Sequence, residues 1–474
     1  MEENVMSDKL KLSASERIAS LLDDASFVEI GAEVNARATD FNEGSLDTPK
    51  DGVITGYGQI DGRLVFVYSQ DATVLGGAIG EMHAKKISHI YGMAMKVGAP
   101  VIGLIDCAGL RLQEATDSLH SFGALYKKFT MASGVIPQIT AIFGNAGGGA
   151  AVLTSLSDFT IMVDSAKLFV NSPNAVEGNY EEKLDTSSAE FVSTHSNMVD
   201  KVCADDAAAL NEIRNLITFL PSNNDDFVDG DTEDDLNRTI PGIDGYADDA
   251  RKVIESIADD NIFYELKKES GKDFVTGFIK LGGFSVAVVA NQEKKMTAMG
   301  IRKAAGLVSF ADAFNIPVLT LTNVDGFNNT LNDELYISKA GAKLISAFAV
   351  ATVPKVNVVI GNGFGSGYLM MNSRSLGADV VFAWPNAKIG TMDSKYLAEI
   401  LAADEIASSD DKVAAIKETE KKIVDSQTGA KAAARRGYVD DIIEPDATRK
   451  RVIAAFDMLA TKSEDRPYKK HIAF

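Results

Sequence analysis

The sequence predicts an α/β protein made of two tandem domains that arose by internal duplication. Three observations carry that expectation. Short motifs recur at one fixed offset, each half alternates helical with β-branched apolar segments, and each half carries a glycine-rich turn at the same place.

The offset comes first. Ala99-Pro100-Val101-Ile102-Gly103-Leu104 resembles Ile316-Pro317-Val318-Leu319-Thr320-Leu321, with the prolines 217 positions apart. Ile136-Pro137-Gln138-Ile139 and Val353-Pro354-Lys355-Val356 keep that spacing, as do Gly144-Asn145 and Gly361-Asn362. Further on the offset becomes 221, pairing Asp158 with Asp379 and Ala166-Lys167 with Ala387-Lys388. Units of this length are duplicated domains; solenoid repeats run roughly 20–50 residues.

Each half reads in one order. A helical segment (80–97; 300–315) leads into a proline and an apolar run suited to a buried parallel strand. A second helix (119–133; 335–351) precedes a second strand (138–143; 355–360) that breaks at the glycine-rich turn and opens another helix. A third strand (159–163; 380–384) and a short fourth (168–171; 389–391) close the unit. The intervening helices imply βαβ crossovers and a mostly parallel sheet. The stretch 221–245, with Asp225, Asp226, Asp229, Asp231, Glu233, Asp234 and Asp235 beside Gly230, Pro241 and Gly242, reads as the linker. The domains are therefore expected at 1–225 and 226–474.

Composition narrows the function classes. The chain is 46% hydrophobic and 24% charged, ordinary globular values. Its net charge of −20 disfavours nucleic acid as a partner. The acidity is uneven: residues 181–260 hold 21 acidic and 6 basic residues, whereas 80–130 hold 6 basic (Lys85, Lys86, Lys96, Arg111, Lys127, Lys128) and 4 acidic. An anionic ligand docks more easily on the second of these stretches. Two cysteines, Cys107 and Cys203, give no disulfide framework. The acidic start (residues 1–4) is unlike a signal peptide, and no apolar run approaches membrane-span length, so a cytoplasmic protein is expected.

The turns read Gly144-Asn145-Ala146-Gly147-Gly148-Gly149-Ala150-Ala151 and Gly361-Asn362-Gly363-Phe364-Gly365-Ser366-Gly367-Tyr368. A helix start offers unpaired N–H groups and a positive dipole end, which suit a phosphate or a developing oxyanion. The competing reading is that the glycines only permit tight helix–strand packing. Neither turn fits the dinucleotide or P-loop pattern, and neither contains G-x-S-x-G, so Ser366 is not on a nucleophile elbow. His83, His89, His120, His195 and His471 show no metal-ligand spacing, and no metal is expected. Ala94-Met95-Lys96-Val97 is similar to a biotinylation tetrapeptide, but it lies in a helical pattern, and Lys96 is not expected to be modified.

At this point a family is legible. Asp51-Gly52-Val53-Ile54-Thr55-Gly56-Tyr57-Gly58, Gly76-Gly77-Ala78-Ile79-Gly80-Glu81-Met82-His83-Ala84-Lys85-Lys86, Ser133-Gly134-Val135-Ile136-Pro137-Gln138-Ile139, Ala383-Trp384-Pro385-Asn386-Ala387 and the ending from Thr448-Arg449 to Lys470-His471 resemble the carboxyltransferase subunits of biotin-dependent acyl-CoA carboxylases and decarboxylases. That family includes propionyl-CoA carboxylase β and methylmalonyl-CoA decarboxylase α subunits. The resemblance implies two crotonase-like domains of the ClpP/crotonase superfamily, with acyl-CoA on the first and biotin, carried by a separate subunit or domain, on the second. It implies a dimer pairing unlike domains of two chains and assembling to a hexamer. The partners implied are a biotin carrier protein and either a biotin carboxylase or a sodium-pump membrane subunit, through which the enzyme would be peripheral to the membrane. Carried over by position, the amides of Gly148 and Gly149 would hold the thioester enolate oxygen, and those of Ser366 and Gly367 the biotin ureido oxygen. Ala108, Gly109, Arg111, Phe364 and Leu369 would line the substrate sites.

The sequence departs from the family pattern in four places. Asp106-Cys107-Ala108-Gly109-Leu110-Arg111 stands for Asp-Ser-Gly-Gly-Ala-Arg, residues 324–334 lack two prolines, Phe364-Gly365-Ser366-Gly367-Tyr368 stands for Tyr-Gly-Gly-Ala-Tyr, and Met392-Asp393 for Met-Gly. The departures keep two other readings open: a biotin-independent crotonase-type lyase or hydratase, and a non-catalytic assembly subunit.

Overall fold

A computed structural model describes residues 11–41, 47–179, 183–228 and 230–465. The start (residues 1–4), Glu181, Asp229, Lys470 and His471 lie outside them. The chain divides into two compact units, Met1–Phe227 and Val228–Phe474.

In the first unit, α1 (Ala14–Leu21) begins at a capping box in which Ser13 and Glu16 satisfy each other's backbone N–H. The strands are β1 (Val28–Glu29), β2 (Val53–Ile60), β3 (Arg63–Gln70), β4 (Val101–Cys107), β5 (Gln138–Gly147), β6 (Phe159–Val163), β7 (Lys167–Phe169) and β8 (Lys201–Cys203). They form one sheet in the order β1-β2-β3-β4-β5-β6-β8, with β7 paired to the end of β5. Pairing is antiparallel up to β3 and parallel beyond it. Helices α2 (Glu81–Val97), α3 (Ala115–Ala132), α4 (Gly149–Ser155) and α5 (Asp206–Ile217) follow in chain order. β4 is buried at every position, as a parallel strand covered on both faces must be.

The second unit repeats the plan with β9 (Phe263–Leu266), β10 (Phe274–Leu281), β11 (Phe284–Asn291), β12 (Lys295–Met296), β13 (Val318–Val324), β14 (Gly326–Phe327), β15 (Lys355–Phe364), β16 (Val380–Ala383), β17 (Lys388–Gly390) and β18 (Asp441–Ile442). Its sheet runs β18-β16-β15-β13-β11-β10-β9, with β17 on β15 and a small β12–β14 pair apart. Its helices include α6 (Ala298–Ala313), α7 (Leu331–Val350) and α8 (Gly365–Met370). The core is built from both sheet and helix residues, among them Ile254, Val288, Leu321, Val358, Trp384 and Val452.

The duplication extends to single side chains. Asp158 accepts from Gln138 N at 2.8 Å, and Asp379 from Lys355 N at 2.8 Å. Buried Lys86 donates to the carbonyls of Lys50 and Val53, and Lys303, 217 residues on, to those of Lys267, Ser270 and Phe274. Burial pushes both ammonium groups down to about 8.

Two features differ from the expectation. The antiparallel hairpins β2–β3 and β10–β11 were not foreseen; they turn at Asp61-Gly62 and Gly282-Gly283, all four residues with positive φ. That is the twist-matched two-residue hairpin turn. The second parallel strand of each half is also longer than expected. β5 and β15 continue through most of the glycine-rich segment, because β7 and β17 pair with their last residues.

Candidate active site

The first turn is made by one residue. β5 ends at Gly147, Gly148 adopts φ 58 and ψ −121, and α4 begins at Gly149. Nothing lies within 4 Å of a Cβ built on Gly148, so glycine is required there by conformation alone. The Gly148 N–H donates to Phe169 O at 2.8 Å. That amide continues the β5–β7 ladder. The N–H groups of Gly149 and Ala150 open the helix, which supplies no acceptor for them. At Gly149 the constraint is space, since a Cβ would lie 2.8 Å from Phe122 Cε1 and 2.9 Å from Tyr126 Oη.

The turn is anchored from β4. Asp106, 4% exposed, accepts from Asn145 N at 3.2 Å. Its other oxygen faces Lys11 Nζ at 3.1 Å and Arg17 at 3.7 Å, and Arg17 also pairs with Asp206 at 3.2 Å. The loop after β4 runs beside the turn: a Cβ on Gly109 would sit 3.1 Å from Gly147 O. Ala108 is exposed there. Arg111 is not available to a ligand. It is 1% exposed and binds Asp51, Glu114 and Ala78 O. It holds this loop to the start of α2, where Glu114 also accepts from Glu81 N at 2.6 Å.

The second turn repeats the geometry with other chemistry. Gly365 has φ 58 like Gly148, which matches it in the 217-residue register, so Gly149 corresponds to Ser366 and Ala150 to Gly367. The donors inferred from sequence were one step out of this register. Asn323 takes the place of Asp106, accepting from Asn362 N at 2.9 Å and donating to Ala247 O at 2.9 Å and to Asp248 at 3.1 Å. Phe364 is buried, Ser366 is exposed, Gly367 is buried against Val324 and Met296, and Leu369 is 49% exposed. The atypical 324–334 loop is well tied down: Asp325 N and Asn328 N donate to Lys294 O and Met296 O, at 2.7 and 2.8 Å. Burial works against ionised Asp333, but hydrogen bonds from Thr330, Ala298 and Asn328 hold its carboxyl below the usual range.

A carboxyl transferase domain model matches residues 7–474. The chain belongs to the carboxyl transferase family. It is 40% identical to the methylmalonyl-CoA decarboxylase α subunit of Propionigenium modestum, covering 97% of this chain and 92% of that one. It is equally similar to the propionyl-CoA carboxylase β chain of Roseobacter denitrificans, over 97% and 93%. The transcarboxylase 12S crystal structure, a hexamer with hydrolysed methylmalonyl-CoA bound, superposes with a TM-score of 0.93 at 37% identity, covering 99% of this chain and 93% of that one. This protein is thus a carboxyltransferase of the propionyl-CoA carboxylase and methylmalonyl-CoA decarboxylase type, with the duplicated crotonase-like fold.

Among the described residues, no side chain near the carboxyltransferase turns is poised as a nucleophile or base. Burial pushes the Cys107 thiol up to about 11. Burial, then the Arg111 charge, pushes His83 down to about 3, and its ring bonds Asp51 O and Gln70 Nε2. Lys96 lies in the last turn of α2. Among the described residues no group of His, Cys, Asp or Glu is arranged to hold a metal ion, and no helix is long and apolar enough to cross a membrane. Sequence reasoning missed Tyr126, whose hydroxyl donates to Gly149 O at 3.2 Å. The alternation of Phe122 and Tyr126 on one helical face was the available signal.

Proposed function

We propose that the chain moves a carboxyl group between biotin and the α-carbon of a short-chain acyl-CoA, methylmalonyl-CoA/propionyl-CoA or malonyl-CoA/acetyl-CoA. The observation that carries this reading is the matched pair of turns, each with two helix-opening amides and no side-chain base. Biotin, carried by a partner protein, supplies the ureido nitrogen that bears the carboxyl group. The amide of exposed Ser366 and the neutral Asn323 anchor behind it suit a ureido oxygen, which gains partial negative charge but needs no counter-ion. On the acyl-CoA side, breaking the bond from the α-carbon to the carboxylate moves an electron pair onto the thioester oxygen. The Gly149 and Ala150 N–H groups hold that oxygen. Each pre-aligned donor is worth ~3–4 kcal/mol in the transition state.

Decarboxylation is the favoured direction, with a biotin carrier protein and a sodium-pump membrane subunit as partners; a carboxylase would use a biotin carboxylase instead. The assembly is a hexamer of this chain, as in transcarboxylase 12S, placed in the cytoplasm. Leu369, half-exposed three residues after Ser366, lines the acyl pocket.

The test supplies purified chain, free biotin and methylmalonyl-CoA or malonyl-CoA and follows decarboxylation. Biotin-dependent turnover is expected. Turnover without biotin would select a lyase, and CoA-ester binding without turnover an assembly subunit. Ser366→Pro deletes one N–H at a helix-start position that tolerates proline. It should lower turnover about 100-fold with acyl-CoA binding unchanged, while Ser366→Ala stays close to wild type. Equal losses in both variants would remove the amide from the mechanism.

A further inference from the structure

Each donor peptide of the first turn is held from its carbonyl end, but by different means. Gly148 C=O accepts from Ala151 N at 3.1 Å, which fixes the peptide carrying the Gly149 N–H. Gly149 C=O, in the peptide carrying the Ala150 N–H, accepts from the Tyr126 hydroxyl at 3.2 Å. Tyr126 packs on buried Phe122, with ring centroids 6.0 Å apart, and both rings wall the space that a Gly149 side chain would fill.

The second turn lacks this wall. Leu125 and Phe129 of α3 correspond to Leu344 and Phe348 of α7: all four are buried, and the carbonyls of Phe129 and Phe348 accept from the matched side chains Gln138 and Lys355. That register sets Phe122 against Gly341 and Tyr126 against Ile345. A Cβ on Gly341 would meet the Met370 methyl at 3.1 Å, so Met370 takes up the room the aromatic pair occupies in the first unit.

We propose that Tyr126 is a positioning residue for carboxyl transfer, orienting the Gly149–Ala150 peptide so that the Ala150 N–H points at the thioester oxygen. The proposal rests on the carboxyl-transfer reading of the first turn. A hydroxyl that pulls on the carbonyl also polarises the N–H of the same peptide, so the bond strengthens the donor as well as aiming it. The phenol stays protonated and able to donate, because burial pushes it up. Among the described residues nothing equivalent serves the second turn, so the effect belongs to the acyl-CoA side.

The experiment compares wild type with Tyr126→Phe, which keeps the ring and removes the hydroxyl, in free-biotin decarboxylation of methylmalonyl-CoA. The expected result is a fall in kcat of about 3- to 10-fold, the size of one ordinary hydrogen bond. KM for the CoA ester, KM for biotin and the thermal midpoint should stay unchanged. Tyr126→Leu, which also removes the ring, should lose thermal stability in addition to kcat. An unchanged kcat in Tyr126→Phe overturns the proposal, and so does a fall matched by equal losses in CoA-ester binding and thermal midpoint. If wild type itself shows no biotin-dependent turnover, the carboxyl-transfer reading fails and takes this proposal with it; an active wild type beside an unaffected variant sinks the proposal alone.

Discussion

Ala115 and Gly148 share one unusual backbone conformation, φ 47 and ψ −120 in the first, φ 58 and ψ −121 in the second. Only glycine adopts it without strain, and an L-residue there costs ~1–3 kcal/mol. Ala115 stands where the loop after β4 enters α3, and its exposed methyl group gains little from packing. Ala115→Gly should therefore stabilise the protein by ~1 kcal/mol, the strain relief exceeding the ~0.4–1 kcal/mol cost of glycine's freedom in the unfolded chain. Urea unfolding would show a higher midpoint with the same slope; a lower midpoint would mean that Ala115 is not strained. The same loop bears the Gly109 and Arg111 positions inferred from sequence. Arg111 lies inside it as a strut, because a guanidinium that is 1% exposed and tied to Asp51, Glu114 and Ala78 O is out of a phosphate's reach.

At the scale of elements, a strand, a neighbouring anchor and a glycine act as one device. Gly144 and Gly361 are glycines because a Cβ would lie 2.0 Å from Asp106 Oδ1 in one half and 2.5 Å from Asn323 Oδ1 in the other. The anchors hold the ends of β5 and β15 where they turn. Gly361→Ala should drive Asn323 off Asn362 N, cost ~2–3 kcal/mol, and lower biotin-dependent turnover. A fully active, equally stable Gly361→Ala protein would count against the anchoring role. This device also shows what could be read in advance. The paired turns and the parallel strands were legible, because a repeated Gly-Asn after a β-branched run is a local pattern. The extent of β5 was not, since its last residues are strand only through pairing with β7, a tertiary event. The fate of the Gly148 N–H was hidden for the same reason: whether an amide is free depends on what lies across from it. The hairpins β2–β3 and β10–β11 carried a readable sign in Asp61-Gly62 and Gly282-Gly283, which the strong βαβ pattern overshadowed.

Across the whole molecule, duplication left two copies of the carboxylate that caps the start of β5 and of β15, and the copies have since diverged in their surroundings. Asp379 caps the Lys355 amide and pairs with Lys462 at 2.8 Å. Asp158 caps the Gln138 amide at the same distance, but among the described residues no Lys or Arg pairs with it. Its charged neighbour is Asp200, itself engaged with Thr160 N. Burial, opposed by the Gln138 hydrogen bond and aided by Asp200, pushes the Asp158 carboxyl up to about 7. The unfolded value is about 3.9. A carboxyl raised on folding contributes stability fully below the unfolded value, and that contribution is lost as pH rises through about 7. The wild-type protein should therefore lose thermal stability between about pH 4 and about pH 7 by way of this one group. Asp158→Asn keeps an acceptor for the Gln138 amide and cannot ionise, so it should equal wild type at the lower pH and melt several degrees higher at the upper. Asp379→Asn should behave in the opposite sense at the upper pH, because it removes one of the two carboxylates that hold Lys462, leaving Glu464 at 3.2 Å. Parallel melting curves for wild type and Asp158→Asn across that range would show that Asp158 is ionised throughout, and that the first unit tolerates the bare charge its twin neutralises.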